Sequence, residues 1–165
     1  MKNLLRLLLL MTTLLSGCAT YQPVAPGYAG PTARIIDSSY QESGGKGRLF
    51  YVATVDGNAI ANAAGGTAQS SYGRGFSLSL RTASRDVPIR KLRLKLVGTH
   101  VTAAPIHELA SRAIGEFFRV EGEIDFLPVA GKVYELRGEL TKAVASVWIA
   151  DLYTGEPVTE KIVAK

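Results

Sequence analysis

Two histidines and a neighbouring carboxylate are the first residues of this sequence that could do chemistry. His100 and His107 are its only histidines, and Glu108 directly follows the second. Two imidazole nitrogens and a carboxylate can supply three zinc ligands and leave a fourth position open. The interval between the histidines, however, crosses a strand end, Pro105 and a helix start, so spacing alone does not make a site. We therefore expect no metal or cofactor, with His100 bonded to backbone and His107 exposed on the first helical turn.

Three carboxylates alternate further along the chain. Glu121, Glu123 and Asp125 are two residues apart, which in a strand places neighbours about 7 Å apart on one face. Such a pair can imitate the acid and base of a glycosidase, although a solvated strand face also explains it, and we favour that interpretation. Nucleophilic catalysis has less support, because the sequence has no Gly-x-Ser-x-Gly motif and neither histidine has an evident serine and acid partner.

The single cysteine, Cys18, follows a leucine-rich start. A short positive region with Lys2 and Arg6 precedes an apolar run from Leu7 to Leu15. This run is about half as long as the roughly 20 residues that cross a bilayer, and it is typical of a secretory signal peptide. The tetrapeptide LSGC that closes the run resembles the lipobox of bacterial lipoproteins. This resemblance implies cleavage between Gly17 and Cys18, a diacylglycerol on the Cys18 thiol and a further acyl chain such as palmitate.

Two or more acyl chains hold a protein stably at a membrane, since each buried CH₂ contributes about 0.8 kcal/mol. The resemblance therefore implies a membrane attachment through covalent lipid on Cys18. Ala19 stands where an aspartate tends to retain lipoproteins of enteric bacteria at the inner membrane. We accordingly expect a cell-envelope protein of the outer membrane that faces the periplasm.

The mature chain has the length of one domain. Removing the signal peptide, residues 1–17, leaves 148 of 165 residues and lowers the formal charge from +5 to +3, which is too small to indicate nucleic-acid binding. Residues 18–33 are rich in proline and glycine, and we expect a flexible tether that holds a domain of residues 34–165 some tens of Å from the bilayer. The alternative is a recognition segment that docks Tyr21 or Tyr28 onto the domain or a partner.

Short alternating runs fill most of the remaining sequence. They cover residues 48–55, 75–82, 89–98, 118–126, 132–141, 143–152 and 158–164. Alternation with a period of two indicates strands with one face on a core. About seven such strands predict a mainly β fold, an antiparallel β-sandwich or barrel, of which we favour the β-sandwich. Residues 104–118 instead repeat apolar side chains every three or four residues after Pro105, which predicts one short inserted helix.

Charge is unevenly distributed. Seven bases stand against one acid between Arg74 and Lys95, and seven acids against four bases between Glu108 and Glu139. One interpretation is that these strands are neighbours whose outer faces pair. The other is a basic face for an anionic glycan, lipid headgroups or an acidic protein. The candidate binding residues include the aromatic-basic turn YGRGF and are Tyr72, Arg74, Phe76, Arg90, Lys91, Arg93 and Lys95.

Several motifs together resemble an uncharacterised group of Gram-negative envelope lipoproteins. These are FYVATVDG, YGRGF, GTHVTAAPI, GKVYELRGEL and VWIADLYTGEPV. The VDG strand end and the last two motifs are also similar to transthyretin-like or PEGA-like β-sandwiches. The resemblance covers about residues 34–163 and implies a fold, but it carries no reaction with it.

Together these observations predict a non-enzymatic, lipid-anchored protein that binds a partner protein or another envelope component. The alternative is a hydrolase of envelope polymers. Its candidate groups are His100, His107, Glu108 and the carboxylates of Glu121, Glu123 and Asp125.

Overall fold

A computed structural model describes residues 20–113 and 115–164 of the chain, which are mainly β. Ten strands and two helices lie within these residues. The strands are β1 (Thr32–Ile36), β2 (Ser38–Ser43), β3 (Lys46–Val55), β4 (Asn58–Ala59), β5 (Ser84–Pro88), β6 (Leu92–Thr102), β7 (Arg119–Phe126), β8 (Val133–Leu140), β9 (Ala145–Asp151) and β10 (Ile162–Val163). The helices are α1 (Ala63–Ser71) and α2 (Pro105–Ala113).

The strands form two sheets that pack face to face, as the predicted β-sandwich requires. The first sheet has the order β10-β9-β8-β1-β5, and the second has the order β2-β3-β6-β7 with β4 beside β3. The named strands pair antiparallel except for β1 and β8, which are parallel. The chain crosses from the first sheet to the second at Asp37, between β1 and β2. This crossing lets two consecutive strands contribute to opposite sides of one core.

The main core lies between the two sheets, and a smaller one lies outside them. Ile35, Leu136 and Ile149 from the first sheet meet Phe50 and Leu96 from the second. Because side chains alternate along a strand, the neighbours of Phe50 point to the opposite face. There Leu49 and Tyr51 pack with Val97 of β6 and Ala63 of α1. The outer face of β3 and β6 therefore has a cover of its own.

Residues 75–82 do not form the strand that their alternation predicts. Leu78 is buried, but the backbone of this segment bonds to hydroxyl groups of α1 instead of to a neighbouring strand. The Ser79 amide donates to Ser71 Oγ and the Arg81 amide donates to Thr67 Oγ1, each at 2.9 Å. Alternation reports a buried face and does not identify the group that satisfies the backbone.

The prediction of one helix was incomplete. Helix α1 was missed, because its glycines and small polar residues give no apolar stripe. It begins where the Asn62 side chain accepts from the Gly65 amide at 3.1 Å, an N-cap that satisfies one otherwise unpaired amide. Helix α2 was predicted but ends at Ala113, since Gly115 adopts a φ of +69°. Positive φ is favourable for glycine and closes many helices.

The proline-rich start of the described chain lies against the domain. Tyr21 is partly buried and packs on the main core, and β1 already begins at Thr32. The Tyr28 hydroxyl donates to the Pro31 carbonyl at 3.4 Å. Of the two interpretations of this segment, the docked one agrees with the position of Tyr21.

Candidate functional site

A cleft of about 510 Å³ opens on the outer face of the second sheet. Strands β3 and β6 form its floor, α1 one wall and the residues around α2 the other. Both apolar and polar side chains line it. The residues that line it include Leu49, Tyr51, Thr67, Ala68, Ser71, Tyr72, Glu108, Arg112, Phe117 and Arg119.

Hydroxyl groups fix the wall formed by α1. Ser70 Oγ donates to the Ser79 carbonyl at 2.6 Å, and Thr67 and Ser71 accept from the same segment, residues 75–82. Thr67 is fully buried although it is polar. Helix and segment are thereby joined side by side, so the wall is built before any ligand is present.

The aromatic-basic turn, residues 72–76, forms part of the rim. Gly73 and Gly75 have φ values of +76° and +61°, which turn the chain sharply. Tyr72 is 91% exposed and lines the cleft, and Arg74 is also exposed. Phe76 is 67% exposed and lies at a neighbouring depression beside Lys46 and Ala110. The surface patch predicted from the sequence thus borders the cleft without filling it.

Arginines dominate the opposite side. Arg112 donates to Glu108 Oε1 at 2.8 Å and stacks with its guanidinium carbon 4.1 Å from the centre of the Phe117 ring. Arg119 donates to Glu121 Oε2 at 2.6 Å. Hydrogen bonds from Lys95 and Arg119 lower the pKa of the Glu121 carboxyl. Cationic and aromatic groups therefore stand together, as in sites for amphipathic or anionic groups.

His100 lies in strand β6, two residues before its end at Thr102, and its side chain is 3% exposed. The Phe118 amide donates to its Nδ1 at 3.0 Å, so Nε2 carries the proton and faces Glu42 Oε1 at 3.3 Å. Burial lowers the pKa of His100, and the nearby Glu42 carboxylate raises it by less. The predicted bond between His100 and backbone is therefore present.

Among the residues that the structure describes, the candidate metal ligands His100 and Glu108 do not form a metal site. His100 has no free lone pair, because Nδ1 accepts from Phe118. Glu108 pairs with Arg112, and the side chain of His107 lies outside the description. Within the described part, no three histidine, cysteine, aspartate or glutamate side chains form a metal-binding group.

The basic stretch pairs with acids across the second sheet. Strands β6 and β7 are adjacent, and Lys91 meets Asp125 at 2.9 Å while Lys95 meets Glu121 at 2.9 Å. Arg93 lies 3.7 Å from Asp125. Arg90 contacts Asp56 at 2.5 Å. This is the arrangement expected if outer faces of neighbouring strands pair, and it also places Glu121 and Asp125 on the solvated face predicted for them.

Sequence reasoning missed the residues that join distant parts of the fold. Glu42, the partner of His100, is 58 positions away from it. Asp37 and Arg85 form a buried ion pair although they are 48 positions apart. The sequence does not indicate this pair, because the base nearest to Asp37 is Arg34, which contacts Asp86 instead.

Gly17 and Cys18, the predicted cleavage and lipid-attachment residues, lie outside the described residues. Neither of the helices within residues 20–113 and 115–164 is long and apolar enough to cross a membrane. The chain has no significant match among protein-family models, curated proteins or solved structures.

Proposed function

We propose that this chain is a lipid-anchored, non-enzymatic protein of the cell envelope that binds a partner protein or another envelope component in its cleft. The anchor is supported by the signal-like start and the LSGC motif that ends at Cys18. With Ala19 after the cysteine, we place the protein at the outer membrane, facing the periplasm.

The cleft is the single observation that carries the binding function. About 510 Å³ is within the range of ligand sites, which combine apolar walls with a few positioned polar groups. The hydroxyl bonds between α1 and residues 75–82 hold one wall in place. Arg112 and Arg119 line the cleft while paired with Glu108 and Glu121, so an anionic part of a ligand, such as a carboxylate or an anionic glycan, would share these guanidinium groups with them.

The geometry gives the hydrolase alternative little support. A general base needs a lone pair within reach of the proton that it removes, and the Nδ1 lone pair of His100 is used by the Phe118 amide. The carboxylates of Glu121 and Asp125 each contact two bases. Ion pairing of this kind keeps a carboxylate ionised, which does not suit a general acid.

Photocrosslinking in the native envelope tests the binding function. A benzophenone side chain replaces Tyr72 on the cleft rim or, as the control, Tyr153, which is 78% exposed on the connection after β9. We expect a specific crosslink from position 72 and none from position 153. Ala68→Trp, which fills the cleft, should abolish it, whereas Gln69→Trp on the same helix should not. A crosslink that survives Ala68→Trp would contradict binding in the cleft.

Metabolic labelling with palmitate tests the anchor. Since the diacylglycerol attaches through sulfur, Cys18→Ser should remove the label and leave the signal peptide uncleaved. Equal label in the variant and the parent would contradict the anchor while leaving the cleft experiment informative.

A further inference from the structure

We propose that residues 20–30 seat the domain directly on the bilayer, so that phospholipid headgroups contact the edge of the sandwich beside β5. This inference rests on the lipid anchor of the proposed function. It concerns a second surface, because none of these residues lines the cleft.

The segment is held against the domain from its beginning. Tyr21 packs on the main core. Gln22 and Val24 line a cavity of about 540 Å³ together with Ser84 and Arg85 of β5. The folded body therefore starts at Tyr21 and not at the end of a free tether.

The length of chain before Tyr21 limits its distance from the membrane. Three residue steps separate Cys18 from Tyr21, and at about 3.6 Å per step their Cα atoms are at most about 11 Å apart. A headgroup layer is roughly 5–8 Å thick, from the difference between the whole bilayer and its hydrocarbon core. Acyl chains on Cys18 hold that residue at this layer, so Tyr21 lies in it or just outside it. A free proline-rich tether from Cys18 to Arg34 would reach about 50 Å.

The chemistry of the segment suits a lipid interface. It has no charged residue between Thr20 and Ala33, so contact with headgroups removes no charge from water. Tyr28 is 44% exposed, and tyrosine, with an apolar ring and a polar tip, is enriched at membrane interfaces. On the adjoining strands β1 and β5, Arg34 and Asp86 neutralise each other at 2.8 Å.

Fluorescence quenching by headgroup-labelled lipid tests the seating. The acylated full chain is reconstituted in liposomes that contain a nitroxide lipid, with a fluorophore on Gln22→Cys or on Val163→Cys. Acylation consumes the Cys18 thiol, so only the introduced cysteine reacts. Strands β5 and β10 are the opposite edges of one five-stranded sheet, about 19 Å apart at about 4.8 Å per strand. We expect several-fold stronger quenching at position 22 than at position 163.

A linker variant keeps the fluorophore at position 22, so differences between the two labelled positions no longer affect the comparison. Inserting about 12 glycine and serine residues between Ala19 and Thr20 adds roughly 19 Å of average reach, and quenching at position 22 should then fall towards that at position 163. Equal quenching at both positions, or quenching unchanged by the linker, would overturn the seating.

Mass spectrometry of the same sample separates the two proposals. A missing acyl group overturns the anchor itself, whereas an acylated protein without quenching at position 22 overturns only the seating.

Discussion

Arg85 donates to both oxygens of the Asp37 carboxylate, with Nη1–Oδ1 and Nη2–Oδ2 distances of 2.6 Å. The two side chains are 5% and 0% exposed. Asp37 also accepts from the backbone amides of Val52 and Ala63, the first residue of α1. A single carboxylate at the crossing between the sheets thus joins β5, β3 and the start of the helix that walls the cleft.

Replacing Arg85 should destabilise the fold strongly. Arg85→Met leaves the Asp37 carboxylate buried without its cation, and breaking such a pair costs about 3–5 kcal/mol. Arg34→Met is the matched control, because Arg34 pairs with Asp86 on the same sheet but is 54% exposed, and exposed pairs contribute about 0–1 kcal/mol. Urea unfolding measures both. If Arg85→Met and Arg34→Met lower the free energy of unfolding equally, the Asp37 carboxylate does not need Arg85 in order to be buried.

The pH dependence of the Arg85→Met variant provides a second measurement. Burial raises the pKa of Asp37, and the hydrogen bonds from Arg85 oppose this shift. Without Arg85 the folded-state pKa rises further above the unfolded value of 3.8. A folded state that binds this proton more tightly than the unfolded chain is fully stable below pH 3.8. It loses stability as pH rises through the folded-state pKa of Asp37. The deficit of the variant should therefore grow between about pH 4 and about pH 7.

Gly138 should not tolerate even a methyl group. A Cβ atom on this residue would overlap the ring of Phe50 and the carbonyl oxygen of Ser146, and Phe50 is fully buried. Overpacking of this kind costs about 1–3 kcal/mol or more. Gly44→Ala is the control, since a Cβ there meets no atom within 4 Å. Recovery of stability in Gly138→Ala combined with Phe50→Leu would identify the ring as the obstacle. Unchanged stability in Gly138→Ala would contradict this packing.

Alternation in the sequence predicted β3, β6, β7, β8, β9 and β10. It did not predict β1, β2, β4 or β5, although Ile35 of β1 and Val87 of β5 lie in the main core, because these strands are too short to show a clear alternation. In β6, for example, only one face is buried at this point, so Leu92, Leu94 and Leu96 alternate with bases. Strand β2 has one buried residue, Ser38, so its sequence shows no alternation. The sequence of helix α1 shows no helical pattern of apolar residues either. This helix is held by the Asn62 cap and by hydroxyl bonds to residues 75–82.

Three of the candidate residues named from the sequence line the cleft, namely Tyr72, His100 and Glu108. Tyr72 and Arg74 could be identified because an aromatic and a base stand next to glycines in the motif YGRGF. The floor, from Leu49 and Tyr51, and the wall, from Ser71, belong to segments whose proximity follows from tertiary pairing. Local sequence patterns contain no information on that pairing.

Neutralising the basic strand should change little. Arg93 is 66% exposed and Lys95 36% exposed, and both already contact acids of β7. The double variant Arg93→Gln, Lys95→Gln should lose at most about 1 kcal/mol of stability. In a soluble form that lacks residues 1–18, sedimentation of the variant with anionic liposomes should match that of the unsubstituted domain as salt shortens the Debye length from about 10 Å to about 3 Å. A salt-sensitive loss of binding in the variant would make this strand a binding face.

Acid should destabilise the domain through His100. Its folded-state pKa is lowered, chiefly by burial, from an unfolded value of 6.5. As pH falls below 6.5 the unfolded chain binds a proton that the folded chain does not, so stability is fully present above this pH and declines below it. Urea midpoints between about pH 8 and about pH 5 should show this decline.

Two variants identify the titrating group. The loss of stability towards acid pH should become smaller in His100→Gln and stay unchanged in His107→Gln. The carboxyls of Asp56, Asp86 and Asp125, whose pKa values are lowered from 3.8, lose their contribution only at more acidic pH. A decline that persists in His100→Gln would assign the titration to another group.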